Sequence, residues 1–180
     1  MSVLEDAPDA ILAQRAADGD EQAFATIVRR HGPYLKAFAT RLAGSAADAD
    51  DALQESLITA WNRLPELQEP ARLRSWLSTI VSRKTTDRLR ARRYADEVDE
   101  SIPALGSTPE QSAETSSQMD ALAAVLKTLP LEQREVWLLK EVEGYSYDEI
   151  ADRVGTTTAT VRGRLARARA SVLDRMTGWR

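Results

Sequence analysis

The chain has 180 residues, 43% of them hydrophobic, which is enough for one ordinary domain or two small ones. It contains no cysteine and a single histidine, which excludes disulfides and thiolate zinc sites and argues against multi-histidine metal sites. The net charge of −4 argues against a nucleic-acid partner. However, binding depends on the charge of the surface that a ligand contacts and not on the total charge of the chain. The acidic start lacks the order of a signal peptide, and no apolar run approaches the about 20 residues that span a membrane. We therefore expect a cytoplasmic protein that does not insert into membranes.

The first half of the chain is predicted to be helical. Apolar residues recur at three- and four-residue steps over residues 21–64, with a break or kink expected at Gly32-Pro33. Residues 64–71 contain two prolines and are predicted to form a loop. A further helix is predicted over residues 72–93, and no segment of the chain shows the two-residue period of a strand.

A linker is predicted over residues 95–117, which lack apolar periodicity and are rich in serine, proline and acids. Charge is distributed unevenly around it. Residues 71–93 carry eight bases and one acid, residues 94–120 carry seven acids and no base, and residues 161–180 carry six bases and one acid. We expect the acidic linker to screen the two basic stretches in the free protein.

The second half of the chain carries a predicted helix-turn-helix. Ser146 followed by Glu149 forms a capping box for a short helix, and Gly155 ends that helix. A polar turn over 156–158 then leads into a longer helix from about Ala159. The fold class predicted from these patterns is all-α, with two small helical domains at 10–94 and 118–177 joined by a flexible acidic linker.

The longer helix has an inner apolar stripe and an outer face of threonine, glycine and arginine. Small residues permit close approach to a major groove, and arginine can read guanine edges there. A surface pair of helices without a DNA partner is the simpler alternative. The outer residues are Thr160, Gly163, Arg164 and Arg167, with Arg162 and Arg169 on the flank of the helix.

The motifs together resemble the bacterial RNA polymerase sigma factors of the small extracytoplasmic-function (ECF) group. Two C-terminal segments resemble region 4, namely LKTLPLEQREVWLLKEVEGYSYDEIADRVG and TVRGRLARAR. Three N-terminal segments resemble regions 2.1, 2.2 and 2.3–2.4 in the family's order, namely DGDEQAFATIVRRHGPYL, DADDALQESLITAWNRL and RLRSWLSTIVSRKTTDRLRARR. The resemblance covers nearly all of the chain from residue 10 to residue 176.

This resemblance implies a subunit without catalysis, metal or cofactor that directs promoter-specific initiation. Its expected partners are core RNA polymerase, promoter DNA and an anti-sigma factor. The core-polymerase contacts it implies are Asp48, Asp51, Gln54 and Glu55. The contacts it implies with the −10 element, in the first domain, are Arg72, Arg74, Ser78, Arg83 and Arg90. The contacts it implies with the −35 element, in the second domain, are Thr157, Thr160, Arg162, Gly163, Arg164 and Arg167.

Two other functions are compatible with parts of the sequence. A stand-alone helix-turn-helix regulator would share the second domain, but it predicts a receiver or ligand-binding first domain, and residues 10–93 show no alternation of strands and helices. A helical enzyme would place a metal on four carboxylates of one helix, but the chain offers no glycine loop for phosphate and no histidine partner. These carboxylates are Asp48, Asp50, Asp51 and Glu55.

Overall fold

The computed structural model describes residues 4–98 and 117–177. These residues form eight α-helices and no β-strand, which confirms the all-α prediction. Helices α1 to α4 make up the N-terminal domain: Asp9–Ala17, Glu21–Ala43, Ala46–Arg63 and Leu73–Val98. Helices α5 to α8 make up the C-terminal domain: Ser117–Thr128, Leu131–Trp137, Tyr147–Val154 and Thr158–Thr177.

Local signals set the ends of the N-terminal helices. Asp20 caps α2 by accepting hydrogen bonds from the backbone N–H groups of residues 22 and 23, and Ser45 caps α3. Gly44 ends α2 at a φ of 72°, in the left-handed region that glycine tolerates. Between α3 and α4 the predicted loop contains two short 3₁₀ turns, Leu64–Glu66 and Pro70–Arg72.

The expected break at Gly32-Pro33 does not divide the helix in two. Helix α2 continues through Pro33 to Ala43. The ring removes one backbone donor, but Leu35, Phe38 and Leu42 beyond it are buried. Packing of this apolar face therefore keeps the two halves of α2 in one helix.

The predicted helix-turn-helix is present in the C-terminal domain. Ser146 and Glu149 form both hydrogen bonds of the capping box at the start of α7. Gly155 ends α7 at a φ of 66°, and α8 begins three residues later. A π-helical turn, Leu138–Val142, continues α6 toward this unit.

The linker prediction falls mainly on residues 99–116, which lie outside the described residues, as does the expected screening of the basic stretches. Helix α4 extends to Val98, so the first four residues of the predicted linker are helical. The described parts of the two domains pack against each other. The buried Arg134 of α6 donates hydrogen bonds to the carbonyls of Leu42 in α2, at 2.8 Å, and of Leu129 in its own domain, at 3.1 Å.

Candidate nucleic-acid and polymerase interfaces

The outer face of α8 is accessible. Its inner stripe, Val161, Leu165 and Ala168, is fully buried against the rest of the C-terminal domain, as the helical period predicts. The predicted −35 residues lie away from this stripe or at the start of the helix, with Arg164 at the edge of the stripe and close enough to Glu135 to affect the pKa of that carboxyl. Three of these residues are exposed, namely Thr157, Arg162 and Arg167. The other three are partly exposed, namely Thr160, Gly163 and Arg164.

Two of these residues have contacts that fix their orientation. The hydroxyl of Thr157 accepts a hydrogen bond from the backbone N–H of Thr160, at 3.2 Å, and so caps α8. The guanidinium of Arg162 lies 5.3 Å from the ring centre of Tyr147, at the start of α7. Arg162 therefore lies on the α7 side of the outer face.

Four of the five predicted −10 residues are exposed on or next to α4: Arg72, Arg74, Arg83 and Arg90. The fifth, Ser78, is fully buried, and its hydroxyl has no hydrogen-bond partner among the described residues. The reason is its position on the helix, because Ser78 shares a face with Val81, Ser82 and Thr85, which are also buried. Ser78 lies in the packed interior, so its burial does not support the predicted contact with the −10 element.

A cavity of about 290 Å³ lies between the 65–71 loop and the first turns of α4. Leu67, Gln68 and Trp76 line it from the N-terminal domain, and Arg153 lines it from the C-terminal domain. The volume lies just below the usual range of small-molecule sites.

The predicted polymerase-binding acids of α3 are paired with arginines of α4. Arg88 lies 2.7 Å from both Asp51 and Glu55. Arg92 lies 2.9 Å from Asp48. Gln54 is exposed on the same helix. The acidic face is thus partly neutralised by α4, although the side chains of Asp51 and Glu55 stay about half exposed.

The same carboxylates do not form a metal site. Asp50 pairs with Lys36 at 2.8 Å, and the other three carboxylates of the metal-enzyme alternative pair with Arg88 or Arg92. Within the described residues, no group of three or more histidine or acidic side chains is arranged to hold a metal ion.

Three residues that sequence reasoning did not single out lie between the domains: Glu135, Tyr145 and Arg153. Burial raises the pKa of Glu135, against the opposing effects of the Ser82 hydroxyl and of nearby Arg90 and Arg164. Tyr145 is 4% exposed, and the guanidinium of Arg153 lies 3.9 Å from its ring centre. No local signal distinguishes these residues from exposed ones, since the surface that buries them is more than 50 positions away in sequence.

The comparisons with known proteins agree with this geometry. The family models Sigma-70 region 2 and Sigma-70 region 4 match residues 27–94 and 119–172. RNA polymerase sigma factor NccH of Alcaligenes xylosoxydans xylosoxydans is 33% identical over 171 residues, which are 91% of this chain and 92% of NccH. ECF RNA polymerase sigma factor SigM of Mycobacterium tuberculosis is 33% identical over 175 residues, covering 95% of this chain and 85% of SigM.

The chain belongs to the ECF sigma factor family. Among solved structures, CnrH in complex with the cytosolic domain of CnrY matches at a TM-score of 0.63 and 31% identity, covering 94% of this chain and 97% of CnrH. ECF sigma factors are non-enzymatic DNA-recognition proteins that bind core RNA polymerase and direct initiation at promoters. The stand-alone regulator is not favoured, because region 2 accounts for the N-terminal domain. No helix in the described parts of this sigma factor is long and apolar enough to cross a bilayer.

Proposed function

We propose that this sigma factor divides promoter recognition between its two domains, with boundaries near 10–94 and 118–177. In this proposal α8 reads the −35 element as a duplex, and α4 with the 65–71 loop reads and opens the −10 element. The observation that carries the proposal is the accessible outer face of α8, where threonine, glycine and arginine side chains lie on the side away from the buried stripe.

The cavity beside the 65–71 loop supports the −10 assignment. A base that leaves the stack needs a pocket with an aromatic or apolar wall, and Trp76 and Leu67 supply such walls. The exposed Arg72 and Arg74 flank the same end of α4 and suit the phosphates of the captured strand. Ser78 is left out of this proposed site because it is buried.

For core polymerase we propose the exposed face of α3 as the docking surface. Asp51, Gln54 and Glu55 lie on it, and the exposed Ile58 continues the same stripe one turn further along the helix. A basic partner surface would take over the carboxylates that Arg88 now pairs, while Ile58 would supply the apolar contact.

We also propose that the protein acts in the cytoplasm, where transcription takes place, and that an anti-sigma factor regulates it. The support for the second proposal is the similarity to CnrH, whose structure was solved with the cytosolic domain of CnrY.

Transcription by the reconstituted holoenzyme tests the assignments of α8 and α4 separately. Arg167→Ala should lower initiation by about 5- to 150-fold, the effect of losing about 1–3 kcal/mol of base recognition. Arg169→Ala is the matched control, because Arg169 is paired with Glu141 at 2.6 Å inside the C-terminal domain. For α4, Arg74→Ala should reduce promoter opening, whereas Ser78→Ala should not. Equal effects within either pair would contradict the assignment of that helix.

A further inference from the structure

The C-terminal domain covers the side of the N-terminal domain that we assign to the −10 element. Three exposed arginines of that side each contact it. Arg72 lies 3.4 Å from the Glu149 carboxylate, Arg83 donates a hydrogen bond of 3.4 Å to the carbonyl of Arg153, and Arg90 lies 3.9 Å from Glu135.

Tyr145 holds this contact at its centre. Its hydroxyl donates a hydrogen bond to the carbonyl of Ser75 in α4, at 2.7 Å, and lies 3.4 Å from the hydroxyl of Thr79. Arg153 covers the other side of the ring and donates to the Thr79 hydroxyl at 3.0 Å. Because Arg153 also lines the cavity beside the 65–71 loop, the contact reaches the proposed base pocket.

The chemistry of the covering surface resembles that of a nucleic-acid strand. Three carboxylates lie against groups that would suit phosphates: Glu149 against Arg72, Glu135 against Ser82, and Glu143 against the hydroxyl of Tyr34. The aromatic ring of Tyr145, which lies between Glu143 and Glu149 in the sequence, is packed against α4. Negative groups with an aromatic ring between them are what a single-stranded segment presents.

The −35 face is not covered in this way. The hydrogen bonds and ring contacts described for Thr157, Thr160 and Arg162 all remain within the C-terminal domain. Arg167 lies close to Gly163 of its own helix and is exposed. Domain packing therefore affects the two proposed DNA sites differently.

We propose that residues 135–153 are an intramolecular substitute for the −10 strand, so that the free sigma factor keeps its −10 site closed and its −35 helix open. The proposal depends on the assignment of α4 to the −10 element. Polymerase or single-stranded DNA must displace this surface before the base pocket is available.

The test uses the full chain without polymerase. Tyr145→Phe/Arg153→Ala removes two hydrogen bonds to α4 and the contact of Arg153 with the ring at position 145, but it keeps that ring. The matched control is Tyr147→Phe/Arg169→Ala, because these side chains contact Lys140, Arg162 and Glu141 of the C-terminal domain. Since the chain has no cysteine, dyes attached at Asn62→Cys and Ala170→Cys, two exposed positions, report domain separation by energy transfer.

We expect the first double variant to lose energy transfer and to bind a single-stranded −10 non-template oligonucleotide about 5- to 30-fold more tightly, at about fivefold for each hydrogen bond. The control should match the parent, and a −35 duplex should bind all forms equally. If the open variant binds the oligonucleotide no more tightly than the parent, the closed −10 site is refuted and the α4 assignment stands. If the open variant does not bind it at all, the α4 assignment itself fails. Unchanged energy transfer in the variant would also overturn the proposal, because these contacts would then not hold the domains together.

Discussion

Gly163→Ala should stabilise this sigma factor and at the same time weaken −35 recognition. Gly163 lies within α8 with ordinary helical geometry, where alanine is favoured over glycine by about 0.8–1.0 kcal/mol. A Cβ at this position meets the Arg167 guanidinium, at 3.7 and 3.9 Å, which is normal van der Waals contact with a flexible side chain. We expect a gain of about 0.4–1 kcal/mol in the free energy of unfolding and a rise in Tm of roughly 1–4 °C.

The same methyl group would project from the face that we propose to approach the major groove. Crowding at a packed interface typically costs about 1–3 kcal/mol, so affinity for the −35 duplex should fall about 5- to 150-fold. Thermal unfolding measures the first effect, and fluorescence anisotropy of holoenzyme on a labelled −35 duplex measures the second. The control is Ala170→Gly, an exposed position two turns further along α8, which should lower Tm with little effect on DNA affinity. A higher Tm with unchanged affinity would refute the assignment of the outer face of α8.

Three further predictions concern other parts of the molecule. Glu55→Gln should weaken binding to core polymerase in a pull-down titration, whereas Arg88→Gln should not, because the second change leaves the α3 carboxylates free. An equal loss of binding in both variants would show that the Arg88–Glu55 pair supports the structure and does not contact the polymerase. Arg134→Met should lower the free energy of unfolding by about 2–4 kcal/mol and Tm by roughly 5–15 °C in calorimetry, because three carbonyls lose their buried donor; a Tm within 2 °C of the parent would contradict this. For Glu135 the raised pKa means that the folded state binds its proton more tightly than the unfolded state, so its contribution to stability falls as the pH rises above 4.5. The Tm of Glu135→Gln relative to the parent should therefore increase between pH 4.5 and pH 7. If the difference in Tm between the two proteins is the same at both pH values, ionisation of Glu135 does not destabilise the folded state.

The elements with local signals could be predicted from the sequence. The capping box at Ser146 and Glu149 and the left-handed glycine at Gly155 depend on neighbours within a few residues, so the helix-turn-helix was predicted and is present. The outer and inner faces of α8 follow from the 3.6-residue period alone. Ser78 could not have been assigned to the interior by the same period, because the residues that are buried with it on one face of α4 include the polar Ser82 and Thr85. Its assignment to the −10 element rests on the resemblance to the sigma factor family alone.

The contact between the domains could not be predicted, because it joins residues that are far apart in sequence. Tyr145 lies just before the start of α7 and Arg153 lies in its last turn, where the sequence predicts exposed side chains. Their burial against Ser75 and Thr79 depends on how two separate domains pack. The pairing of Arg88 with the α3 acids has the same origin. The charge of each segment shows which stretches of the sequence are basic or acidic. It does not show that α4 contacts two acidic surfaces, one on α3 and one on the C-terminal domain.

Run-off transcription with purified core polymerase tests the central claim most directly, with start sites mapped on genomic fragments. We predict transcripts that require this protein and whose start sites share two upstream elements about two helical turns apart. The upstream element should lose its effect in Gly163→Ala and Arg167→Ala holoenzymes, and the downstream element should lose its effect in Arg74→Ala. Transcripts that appear without the protein, or whose start sites share no such pair of elements, would contradict the account.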